Sequence, residues 1–110
     1  MSFDKLGNIQ LRLGNTDAAL AHYQSGLAID QTLAEQDPGN TQFQRDLLVS
    51  FNKLGDIQLR LGDTDAALEY FQLAFAIAKT LAKQDPGNAQ HQSDLAYFEQ
   101  KMAEFNKNVR

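Results

Sequence analysis

The chain has 110 residues, 43 % of them hydrophobic and 22 % charged, which suits one globular domain and disfavours disorder as the main state. A net charge of −4 sets back nucleic acid as a partner, and the absence of cysteine excludes disulfides and thiolate metal sites. No stretch approaches the roughly 20 apolar residues that span a bilayer, and no basic region followed by an apolar run opens the chain, so a cytoplasmic protein with no membrane contact is expected.

The chain repeats itself. SFDKLGNIQLRLGNTDAAL begins at Ser2 and SFNKLGDIQLRLGDTDAAL at Ser50, an offset of 48 residues. The same offset relates Asp37-Pro38-Gly39-Asn40 to Asp85-Pro86-Gly87-Asn88, and the similarity fades after Leu95. Two kinds of punctuation divide each unit. In Leu13 to Asp17 and Leu61 to Asp65, Gly14 and Gly62 suit a left-handed helix end, Asn15 or Thr16 can cap the next helix, and Asp17 favours its positive first turn. In Asp-Pro-Gly-Asn, proline stops a helix, glycine is expected at positive φ, and Asn40 or Asn88 caps the helix after the turn.

In chain order, five helices are expected, at about 2–13, 16–36, 41–61, 64–84 and 89–108. In the third, Phe43, Leu47, Phe51, Leu54, Ile57 and Leu61 recur at steps of three and four. In the fourth the stripe is Ala67, Phe71, Ala74, Ile77 or Ala78, and Leu81. The expected domain is single, with repeat one at 2–40, repeat two at 41–88 and a capping helix at 89–108.

The spacing of Phe51, Leu54, Gly55, Gln58, Ala67, Phe71 and Ala74, and of Phe3, Leu6, Gly7, Gln10, Ala19, Tyr23 and Gly26, resembles the tetratricopeptide repeat, Trp-x2-Leu-Gly-x2-Tyr, Ala-x3-Phe, then Pro. Small residues let two helices approach, and Phe3, Phe51, Tyr23 and Phe71 fill between them. Gln10 and Gln58 depart from the family's tyrosine, and Pro86 arrives late, so each helix is longer than the family's by about seven residues, two turns that preserve the contacting faces. The resemblance implies an all-α superhelix of antiparallel pairs with a right-handed twist. It also implies a non-enzymatic scaffold or adaptor, needing no cofactor or metal, that binds a peptide or helix on a concave face lined by the first helix of each pair.

In that register the lining includes Asp4, Lys5, Asn8, Leu11 and Arg12, then Val49, Asn52, Lys53, Asp56, Leu59 and Arg60, then Tyr97, Gln100, Lys101 and Glu104. Lys5, Lys53 and Lys101 form one ladder and Arg12 and Arg60 another, suited to acidic groups on a peptide. The carboxylate clamp of some family members is not carried over, because Asp4 replaces its first lysine and Gln100 and Glu104 weaken the rest. His22 and His91 do not occupy equivalent positions and read as helix-surface residues; the aspartates read as caps.

The two ends differ. Glu99 and Lys107 stand where the repeats have Phe3, Phe51, Leu11 and Leu59, as expected of a polar terminal cap. At the other end Met1 falls in mid-helix by repeat logic, and Ala28, Leu33, Phe43 and Leu47 lose a covering element. The rival expectation is therefore self-association, a homodimer or an array, through Leu33, Phe43 and Leu47.

Overall fold

The structure, a computed structural model, describes residues 2–108. These residues form five helices and no strand: α1 Phe3–Arg12, α2 Thr16–Gln36, α3 Thr41–Arg60, α4 Thr64–Gln84 and α5 Ala89–Asn108. Each packs chiefly on its neighbours in sequence, giving an all-α helical-repeat fold. The expected boundaries hold to within a residue, with Ser2, Leu13 and Leu61 as caps rather than helical residues. The placement of Met1 lies outside the described residues.

The turns explain the boundaries. After α1, Gly14 sits at φ +83°, its N–H bonds Leu11 O at 3.1 Å and the N–H of Asn15 bonds Gln10 O at 2.8 Å. Gly62 repeats this arrangement, with bonds of 3.1 Å from Gly62 to Leu59 and 2.9 Å from Asp63 to Gln58. These Schellman motifs need a residue that tolerates positive φ. Asp63 Oδ1 then accepts from the Ala66 N–H at 3.0 Å and caps α4. Asn15 occupies the same place before α2 without a side-chain cap bond, because its amide donates to Gln10 Oε1 at 2.8 Å.

The Asp-Pro-Gly-Asn turns correct one expectation: neither Gly39 nor Gly87 takes a positive φ. The N–H of Asn40 closes on Asp37 O at 3.0 Å with Pro38 second in the turn, a type I geometry that accepts negative φ throughout. Asn40 Oδ1 and Asn88 Oδ1 cap the next helices by accepting from Phe43 and His91 N–H, each at 3.0 Å.

Within each pair the small residues admit an aromatic ring. A Cβ on Gly55 would lie 2.6 Å from Phe71 Cε1, and one on Gly7 would lie 2.5 Å from Tyr23 Cε1. Phe71 is fully buried, as are Ala67 and Ala74, in a core cluster continued by Leu48, Ala78, Phe98 and Phe105. Burying a side chain of this size contributes about 2–3 kcal/mol. A second cluster joins Ala19, Tyr23, Leu54 and Ile57, tying α2 to α3.

Several side chains differ from expectation. Ala78 is buried and Ile77 only half-buried, which resolves the fourth stripe. Leu61 is 43 % exposed because it caps α3 as the chain leaves the core. Phe3, at the first turn of α1, is exposed, whereas its counterpart Phe51 is buried in the core cluster with Leu48, Phe71, Ala74 and Phe98. His91 is not a surface residue: it is 5 % exposed, packed at the first turn of α5 where repeat two carries Phe43, and its Nδ1 has no hydrogen-bond partner among the described residues.

Candidate functional site

The helices α1, α3 and α5 stand side by side, joined by direct side-chain contacts. Lys53 Nζ lies 3.5 Å from Asp4 Oδ2, linking α3 to α1. Lys101 Nζ lies 3.9 Å from Asp56 Oδ1, and Tyr97 Oη donates to Asn52 Oδ1 at 3.4 Å, linking α5 to α3. The strongest link is Arg45, whose Nε and Nη2 donate to the two oxygens of Asp94 at 3.0 and 3.3 Å. A bidentate, partly buried pair of this kind contributes on the order of 1 kcal/mol.

Two clefts open on this face. The first, about 430 Å³ between α1 and α3, brings together six of the expected residues, Asn8, Leu11, Lys53, Asp56, Leu59 and Arg60, with Tyr23 and Ile57. The second, about 380 Å³ between α3 and α5, brings Asn52 and Tyr97 together with Arg45, Val49 and Asp94. Lys5, Arg12 and Lys101 line neither.

The lysine ladder is largely engaged inside the molecule. Besides its carboxylate partner, Lys53 Nζ sits 5.5 Å from the centre of the Tyr23 ring. Lys101 Nζ sits 5.0 Å from Phe71 and 5.2 Å from Tyr97. Each lysine thus clips its helix onto an aromatic ring, through cation–π attraction as well as charge. Lys5 and Arg12 are exposed on α1, and Arg60 is exposed at the rim of the first cleft. Tyr97 is 44 % exposed and meets Phe98 edge-on at 4.9 Å.

Tyr23, from α2, was absent from the expected lining. Its hydroxyl donates to Asn8 Oδ1 through the gap left by Gly7, so an outer-helix residue supplies part of the floor. Burial, with Asp4 adding, pushes its phenol above the usual value, and Arg60 acts against the shift. Burial also raises the Asp56 carboxyl, opposed by Lys101 and Arg60. The repeat marks the floor in advance, because Phe71 stands 48 residues after Tyr23 and opposes Gly55 as Tyr23 opposes Gly7.

Leu33, Phe43 and Leu47 are all half-buried, and Leu47 packs on the larger core cluster. Among the described residues no group of three or more His, Cys, Asp or Glu is placed to hold a metal ion, and no helix is long and apolar enough to cross a membrane.

A search of curated proteins finds no match to the chain. Two family models, both described as tetratricopeptide repeat, match residues 2–38 and 49–81. Each match spans one antiparallel pair, from the first turn or middle of the inner helix to the outer helix that packs on it. The chain belongs to the tetratricopeptide repeat family, whose members generally mediate protein–protein interaction.

Proposed function

We propose that the chain is a non-enzymatic cytoplasmic adaptor that holds a peptide or helix of another protein on the face built by α1, α3 and α5. The observation that carries this reading is the first cleft. Leu11, Tyr23 and Leu59 offer an apolar floor, and Arg60 stands exposed at its rim. Lys53 is held by Asp4 and the Tyr23 ring, so Arg60 is the cation best placed to receive an acidic group. The preferred ligand is a segment with an apolar side chain in the cleft and an acidic residue beside it.

Selection from a displayed random-peptide library tests this reading. Enriched peptides should pair an acidic with an apolar residue. Arg60→Glu should weaken their binding at least tenfold, as expected for a charge-assisted hydrogen bond, while the helical circular dichroism is unchanged. Peptides that bind the Arg60→Glu variant as well as the parent would overturn the proposal.

A further inference from the structure

The two contacts between successive pairs, α2 on α3 and α4 on α5, differ in the chemistry of one couple of residues. Between α2 and α3, the hydroxyl of Ser50, a residue 2 % exposed, donates to Asp30 Oδ2. Shifted by 48 residues, the same two positions are Ala78 and Phe98, both buried in the larger core cluster. One contact thus couples an acid with a hydroxyl, and the other couples a methyl with a ring.

On the outer-helix side the two contacts are otherwise much alike. Helices α2 and α4 are identical at 12 of 21 positions, Leu33 and Ala34 against Leu81 and Ala82 among them. On the inner side Leu47, Leu54 and Ile57 answer to Leu95, Met102 and Phe105, so these apolar positions stay apolar. A chain of such similar units is prone to exchange them, within one molecule or between two copies. Two wrong contacts are open to it. With α2 on α5, Asp30 would meet Phe98, and a carboxylate would press on a ring that offers no donor. With α4 on α3, Ser50 would meet Ala78, and a buried hydroxyl would lose its acceptor beside a space that no ring fills. In both cases a polar group is desolvated without a partner.

We propose that the Asp30–Ser50 and Ala78–Phe98 couples are matched selectors that fix the order of stacking: α2 accepts α3 and refuses α5, α4 accepts α5 and refuses α3, and two copies of the chain do not exchange pairs. The selectivity lies in the difference between right and wrong contacts, not in the strength of either. It is independent of peptide binding in the α1–α3 cleft.

The chain has no cysteine, so an introduced pair reports the wrong contact cleanly. Gln92 Nε2 lies 3.4 Å from Ala82 O across the α4–α5 contact, and Ala34 is the counterpart of Ala82. Ala34→Cys with Gln92→Cys therefore brings two thiols together when α2 docks on α5. The full chain carrying both is refolded from urea under mild oxidation over a wide range of concentrations, and cross-links within and between chains are scored by mass spectrometry. Adding Asp30→Ala and Ser50→Phe makes the first contact a copy of the second. Adding Ala78→Asp and Phe98→Ser instead makes the second a copy of the first. Each change removes the distinction and should raise the cross-linked fraction several-fold over the chain with its selectors intact. Helical circular dichroism checks that each altered chain folds, and either one decides the matter if the other does not. Equal cross-linking with and without the selector changes would overturn the proposal. So would loss of the helical signal in both altered chains, which would show that the couples are not interchangeable parts.

Discussion

Two helix-interior glycines should respond to alanine with opposite sign. In α3, a Cβ on Gly55 would lie 2.6, 2.8 and 2.9 Å from three atoms of the Phe71 ring. That ring cannot swing aside: it is fully buried, with Phe105 at 5.6 Å between centroids and Lys101 over its face. Alanine gains about 1 kcal/mol of helix propensity over glycine, whereas overpacking costs about 1–3 kcal/mol. The expected net loss is about 0–2 kcal/mol. In α2, a Cβ on Gly26 would meet Phe3 Cβ at 3.3 Å and Asp4 Oδ1 at 3.5 Å. Phe3 is 36 % exposed at the start of α1 and can give, and repeat two already carries Ala74 at this position. Gly26→Ala should therefore gain up to about 1 kcal/mol. Urea unfolding followed by circular dichroism measures both, and in a domain near this size 1 kcal/mol moves Tm by about 4–8 °C. Phe71→Leu should relieve part of the Gly55→Ala penalty in a double-mutant cycle. If both alanines stabilise, the ring yields and the close-packing account of Gly55 is wrong.

Gly62→Ala should cost about 1 kcal/mol through φ +83° alone, because no atom lies within 4 Å of the added methyl; an unchanged urea midpoint would refute the strain argument. Asp30, whose carboxylate accepts from the buried Ser50 hydroxyl, has its pKa raised chiefly by burial, with the Ser50 bond opposing and Asp4 and Asp46 adding. The folded state thus holds this proton more tightly than the unfolded one, and the contribution to stability falls as pH rises from the ordinary value of 3.8 through the raised one. Asp30→Asn keeps an acceptor for Ser50, so it should be more stable than the parent at pH 7, with the advantage shrinking to nothing in acid. A constant difference between pH 3 and 7 would dismiss desolvation as the cause.

The helices were legible in the sequence because their limits are set locally. The Gly14 and Gly62 turns, the capping asparagines and the prolines each act within a few residues. The inner face was legible because one repeat predicts another, and Asn8, Lys53, Asp56 and Arg60 do share a cleft. The features that escaped are those that differ between the repeats. Arg45 and Asp94 pair across unequal repeat positions, so a constant offset gives no hint of them. Ser50 and Asp30 take the places that Phe98 and Ala78 fill in the core, a polar pair exchanged for an apolar one that only the packing shows to be neighbours. The engagement of Lys53 and Lys101 was hidden for another reason. Two of their partner rings, Tyr23 and Phe71, come from the outer helices, whose residues do not share a repeat face with the lysines.

Packing chiefly between sequence neighbours also shapes how such a chain forms. Every major interface closes across a connection of three or four residues, so little loop entropy stands against any single step. Order can begin in any adjacent pair and spread outward. The pair α3 and α4 alone joins the larger core to neighbours on both sides, and it is the natural place for that spread to start.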